Sequence, residues 1–189
     1  GHFAARGYPY ISCAHDEAPA LITALDEYAG TAAQRETATQ IRINDRSGKL
    51  RALLARCGEG AGGKRVPGEA LSLDPERAEA LLSGYLSADG HYVERYDRWC
   101  ASSVSRPLLL GMALVAQRAR GVVASVYAGR PEREGEIEGR QVHMRQDWIF
   151  CFRNSPGHHQ SGWIGDDGAW KKVRRVEPAG EEEVWDISV

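Results

Sequence analysis

Apolar and polar positions alternate along the chain in two rhythms. Between Asp16 and Gly30, Ala20, Leu21, Ala24, Leu25 and Tyr28 recur at helical spacing, with Asp16 as N-cap and Gly30 as stop. Thr39, Ile41 and Ile43 then fall on one face of a strand over residues 37–44. Leu50, Leu53, Leu54 and Cys57 predict a second helix capped by Asp45 and ended by the glycine-rich loop 58–63. Ahead of all this, residues 2–5 and 8–13 flank Arg6-Gly7, which is hairpin chemistry. Leu73 leads into Asp74-Pro75, a cap followed by proline at the first helical position, and a helix that runs to Asp89-Gly90.

Past Gly90 the order starts again. A hairpin over 91–104 turns near Asp97-Arg98, a helix from Arg106 to Arg120 stops at Gly121, and a strand follows at 122–127. A charged loop from Gly129 to Gly139 and a strand around Val142 to Phe152 complete the round. Gly1-His2-Phe3 and Gly90-His91-Tyr92 each open the same sequence of hairpin, helix closed by glycine, and strand, which argues for a tandem repeat. In that alignment Gly1 corresponds to Gly90, so the counterpart of Asp89 is expected immediately before the first residue. The expected organisation is an α+β chain with a first half at 1–70, a second half at 71–155, and a third segment at 156–189. The third segment has a different character: Trp163, Trp170 and Trp185 stand among Gly and Asp, and residues 171–176 and 183–189 alternate as two strands around Pro178-Ala-Gly180.

Composition narrows the classes. With 189 residues and 42% hydrophobic content, the chain has enough material for one core or two small subdomains. No run approaches the ~18 apolar residues of a membrane span, and no basic-then-apolar signal segment opens the chain, so a soluble cytoplasmic protein with no membrane partner is expected. Cys13, Cys57, Cys100 and Cys151 lie far apart without C-x-x-C spacing and read as buried thiols. His143, His158 and His159 lack zinc spacing and read as surface residues. A net charge of −2 is low for a nucleic-acid binder, but residues 40–67 hold Arg42, Arg46, Lys49, Arg51, Arg56, Lys64 and Arg65 against only Asp45 and Glu59. A solvated helix face and loop would give the same skew.

The chemistry concentrates at Asp89. A carboxylate in the last turn of a helix opposes the macrodipole at a cost of up to about 1 kcal/mol unless a cation or metal faces it. Gly84 and Ala88, four apart with Ser87 beside them, make a surface that another helix could approach closely. Leu82-Ser-Gly-Tyr-Leu-Ser-Ala-Asp-Gly90 resembles the LAGLIDADG (DOD-type) motif of homing endonucleases, keeping Leu82, Gly84, Ala88, Asp89 and Gly90 and departing at Ser87. The resemblance implies two pseudo-symmetric αββαββα units in a monomer with an internal twofold, the first unit lacking its motif helix. It also implies Mg²⁺ held at Asp89 and Gly90 over a scissile phosphate of double-stranded DNA.

Lys64-Arg-Val-Pro67 is similar to the Lys-x-Ile/Val-Pro block of intein-borne members, which makes Lys64 a second catalytic candidate, an ammonium beside the phosphate or the attacking water. Residues 172–189 are similar to the block that opens the C-terminal splicing (Hint) segment of inteins. The chain is thus expected to be covalently part of an intein in a host protein, with the splicing residues outside it. In this reading β-ribbons enter the major groove. His2, Arg6, Tyr8, Tyr10 and Arg42 from the first half and His91, Glu94, Arg95, Arg98 and Ser102 from the second are the expected readers. Arg46, Arg51, Lys64 and Arg65 are the expected phosphate contacts. The alternative is a decayed domain that binds DNA, or scaffolds the splicing domain, without cutting.

Overall fold

A computed structural model describes residues 2–3, 9–29, 32–37, 40–45, 47–137, 139–154, 162–165, 167–173, 175–178 and 180–181. The fold is mixed α+β with antiparallel sheets. Its first unit runs β1 (His2–Phe3), β2 (Pro9–Ser12), α1 (Ala18–Ala29), β3 (Ala32–Thr37), β4 (Gln40–Asn44) and α2 (Lys49–Arg56), followed by a one-turn helix α3 (Gly60–Gly63). A 3₁₀ turn over Gly68–Ser72 leads into α4 (Pro75–Asp89). The second unit continues with β5 (Gly90–Val93), a 3₁₀ turn at Glu94–Tyr96, β6 (Arg98–Ser103), α5 (Arg106–Arg120) and β7 (Ser125–Ala128). Its last strands are β8 (Arg133–Ile137), β9 (Arg140–Met144) and β10 (Trp148–Arg153). A hairpin of β11 (Gly162–Gly165) and β12 (Gly168–Lys171) follows.

The two four-stranded sheets share a strand order. The first sheet has strand order β1-β2-β4-β3 and the second β5-β6-β10-β7. Numbered in chain order among the strands of each sheet, both are first, second, fourth, third. The cores match as well: Ile41 and Ile43 on β4 are fully buried, as is Phe150 on β10, with Phe152 next to it on the same face. Both β4 and β10 are interior strands of their sheets. Alternation sends these residues to the helix side and their neighbours to the other face.

Local chemistry explains the second unit. Asp74 accepts a hydrogen bond from the Arg77 amide at 2.9 Å, Pro75 occupies the first helical turn, and Ala78, Leu82 and Leu86 bury one stripe of α4 against α5. Removing a leucine such as Leu82 from water contributes roughly 1.5–3 kcal/mol. Gly90 then turns the helix into β5: a Cβ there would lie 2.5 Å from the Leu86 carbonyl oxygen, so only glycine permits so abrupt a corner. Gly121 closes α5 in the left-handed region at φ +61, as predicted.

Several boundaries differ from expectation. The strand predicted over 37–44 is divided between the end of β3 and β4, and the N-cap of α2 is Gly48 rather than Asp45. Asp45 still serves that helix: its buried carboxylate accepts from the Arg51 amide at 2.8 Å and from Ser47 Oγ at 3.0 Å. No N-cap at Asp16 is seen; the first helical hydrogen bond of α1 starts from the Glu17 carbonyl. Within the charged 129–139 stretch expected as loop, Arg133–Ile137 is a strand paired antiparallel with Arg140–Met144. The predicted strand at 142–152 is accordingly divided between β9 and β10, and the one at 122–127 shifts to 125–128.

In the third segment, Trp163 pairs with Trp170 across β11 and β12. Beyond Lys171, described residues 172–173 and 175–178 are not strand, which corrects the expected strand over 171–176. Lys171 Nζ donates to the Ala124 carbonyl at 2.5 Å, and a Cβ built on Gly162 would meet Val123, so this hairpin rests on the second unit. Residues 155–161, which include the expected boundary between 155 and 156, and the strand expected at 183–189 lie outside the described residues.

Candidate nucleic-acid interface

Asp89 is the last residue of α4, exposed, and without a hydrogen-bond or ion-pair partner among the described residues. The last turn of α4 contains no basic residue to offset the dipole. One turn earlier, Tyr85 buries its hydroxyl without an acceptor among the described residues. Burial first, and then the charge of Asp89, push its phenol up to about 12. The carboxylate therefore sits beside a low-dielectric aromatic wall on one side and solvent on the other.

Gly84, Ser87 and Ala88 are exposed on the opposite side of α4 from its core stripe, and nothing lies within 4 Å of a Cβ built at Gly84. The helix packing expected at this surface is thus not found among the described residues. Ser87 instead bonds its own helix, donating to the Gly84 carbonyl at 3.0 Å.

Lys64 reaches the same end of the second sheet by an independent route. Ser105, fully buried at the start of α5, donates from Oγ to the Lys64 carbonyl and accepts from the Leu108 amide. Asp89 adjoins Gly90, which pairs with Ala101 on β6, and Ser105 follows only four residues after Ala101. Four residues of chain span at most about 14 Å. The Lys64 side chain is exposed and makes no ion pair among the described residues. The Ser105 bond thus fixes the Lys64 backbone at the start of α5, while Asp89 stands at the end of α4.

The β5–β6 hairpin carries the second cluster. Tyr96 lies under two guanidinium groups, Arg98 at 4.9 Å and Arg95 at 5.4 Å from the ring centroid. Asp97 closes the tip at φ +46 and accepts from Tyr92 Oη at 2.5 Å, while Tyr92 and Trp99 rings stack at 5.3 Å. That bond to Asp97 raises the Tyr92 phenol pKa and holds it neutral. Arg98 Nε is buried without an acceptor among the described residues. A preordered tip of this kind presents cations and aromatic faces together, the combination that contacts phosphates and bases.

Strand alternation sorts the remaining predicted readers. His91 and Ser102 are exposed on the face away from α4 and α5, the face that Arg98 also occupies in the strand register. In the first sheet Tyr10 and Arg42 are directly opposed across β2 and β4, on the face away from Ile11, Ile41 and Ile43. Of the phosphate candidates, Arg51 is exposed, and Arg65 donates from Nε to the Arg56 carbonyl at 3.2 Å. His2 lies in β1 opposite Tyr10; Arg6, Tyr8 and Arg46 lie outside the described residues.

Sequence reasoning passed over Tyr92, Tyr96 and Arg106, the last stacked over Trp148 at 4.8 Å. The Tyr96 signal was legible as an aromatic between two arginines in Arg95-Tyr-Asp-Arg98. His143 bridges Glu134 and Glu132 on the β8–β9 hairpin; the bond to Glu134 and then that to Glu132 raise its pKa. Two carboxylates and one imidazole at this exposed site serve as an ion-pair clasp for the hairpin.

Among the described residues no group of three or more His, Cys, Asp or Glu side chains converges as a metal cage. Asp89 and the Gly90 carbonyl offer three oxygens at most. Mg²⁺ retains several waters and takes one or two carboxylates plus phosphate oxygens, so this donor set fits a shared site completed by substrate rather than an all-protein cage. The chain matches no known protein-family model and no curated protein.

Proposed function

We propose that this chain is the DNA-cleaving part of an intein, a LAGLIDADG-type endonuclease that hydrolyses both strands of a specific site with Mg²⁺. The observation that carries the reading is Asp89: an exposed carboxylate, without a partner among the described residues, at the dipole-disfavoured end of a helix that also exposes Gly84, Ser87 and Ala88. The duplicated sheet order around it supports a protein that addresses two strands related by a twofold.

In this reading the Asp89 carboxylate and Gly90 carbonyl would hold Mg²⁺, which supplies water activation and leaving-group stabilisation when bound. The Lys64 ammonium, its backbone pinned by Ser105, stabilises charge developing on the phosphate. Arg95 and Arg98 fix the duplex, with His91 and Ser102 on the sheet face positioned for base edges, and Tyr10 and Arg42 in the corresponding place of the first unit. The splicing segment at 156–189 and the host-protein linkage belong to the same proposal.

The test is a supercoiled plasmid carrying the uninterrupted host site, incubated with protein in Mg²⁺ or in EDTA. Linear product with one pair of ends, formed only with Mg²⁺, supports the reading. A second reading, a decayed domain that grips DNA without cutting, is favoured by the lone carboxylate among the described residues. Salt-sensitive binding to the same fragment with no cleavage would decide for it.

A further inference from the structure

We infer that Cys100 and Cys151 form a disulfide-competent pair that can staple the two central strands of the second sheet. They are 51 residues apart in sequence yet directly opposed across β6 and β10, with their sulfurs 2.6 Å apart and both residues buried. Opposed residues of an antiparallel pair have Cα atoms about 4.5–5.5 Å apart, within the 4.4–6.8 Å that a disulfide spans. Closure therefore requires no strand movement. The pair sits on the face away from the helices, in the place that Tyr10 and Arg42 take in the first sheet. Both cysteines are free thiols as described.

Tyr127 Oη lies 3.7 Å from Cys151 Sγ, and His91 is the β5 partner of Cys100, so polar groups border the pair on both sides. Burial raises the Cys100 thiol to about 12, so little of it is nucleophilic thiolate in the folded protein at neutral pH. The bond accordingly forms before the strands close or during local opening, with a low-molecular-weight disulfide as oxidant. One protein thiolate attacks that disulfide and expels a small thiol, leaving a mixed disulfide. The other protein thiolate then attacks the mixed disulfide and expels the second small thiol, so two protein S–H bonds become one S–S bond and two small thiols carry away the protons.

The experiment refolds the full chain in oxidised or in reduced glutathione, then alkylates it under denaturing conditions for peptide mapping and melts a parallel sample. The expected result is two alkylated cysteines rather than four, a peptide linking Cys100 to Cys151, and a Tm raised by about 10 °C, as a loop of this length predicts. Dithiothreitol reverses the shift. Cys100→Ala/Cys151→Ala removes the redox dependence. Should that variant fail to fold, the linked peptide in the parent chain still decides. Four alkylated cysteines after oxidation, a different linked pair, or identical melting of oxidised and reduced chain would overturn the inference. Neither readout depends on DNA cleavage.

Discussion

Val66 occupies the space that a side chain on Gly111 would require: a Cβ built there lies 2.7 Å from both Cβ and Cγ2 of Val66. This notch in α5, together with the Ser105 hydroxyl, seats residues 64–67 on the second unit and fixes where Lys64 emerges. Gly111→Ala is expected to cost about 1–3 kcal/mol by overpacking, against a small helix-propensity gain. Urea unfolding measures it; an unchanged midpoint would mean that the segment simply lifts away.

Glu79 on α4 and Arg120 on α5 form a two-bonded pair at 2.6 and 2.8 Å, joining the helices beside the core. The Arg120 hydrogen bond lowers the Glu79 pKa in the folded protein, as its bond from Ser83 also does. A depressed carboxylate stabilises above its unfolded pKa, near 4.3, and that stability is lost as pH falls through the folded value. Glu79→Gln should therefore flatten the acid side of the stability curve while leaving the slope near neutrality unchanged. Thermal melts from pH 3 to 7 read this out; parallel curves for the two proteins would remove Glu79 from the account.

Arg95 and Arg98 are expected to act on DNA through phosphates from the hairpin tip. Replacing both by Ala should weaken binding about uniformly across sequences and reduce the slope of log K against log salt by roughly one to two. Fluorescence anisotropy at several salt concentrations tests it. An unaltered slope would place the DNA on another surface.

Much of the fold was legible because its signals are local. Asp74-Pro75, Ser105 before Arg106-Pro107, and Gly121 punctuate the two helices of the second unit, and the structure places their ends where those residues predict. The strand order shared by the two sheets had a counterpart in the sequence, where Gly1-His2-Phe3 and Gly90-His91-Tyr92 each precede the same order of expected elements. What periodicity missed were hairpins within charged sequence. In β8 and β9 the pairing is carried by backbone bonds and the His143 clasp rather than by apolar alternation, so a run rich in Glu and Arg read as loop. The Asp16 cap failed for a related reason: Glu17, whose carboxylate accepts from the Ala14 amide at 2.9 Å, organises that turn one residue later.

The site was legible only in part. Asp89 stood out through the electrostatic oddity of its position, and Lys64 through a short motif. The placement of Lys64 on the second unit depends on a buried contact, from Ser105 to the Lys64 carbonyl, between residues 41 apart. No local pattern encodes that contact. The opposition of Cys100 and Cys151 was hidden for the same reason, since it follows from strand register alone.

The most direct test compares the parent with Asp89→Asn on the plasmid carrying the uninterrupted site, measuring DNA affinity and Mg²⁺-dependent cleavage in parallel. The account predicts affinity changed by no more than about threefold and cleavage reduced by on the order of 10²-fold or more. An Asn variant that cuts as fast as the parent would contradict it.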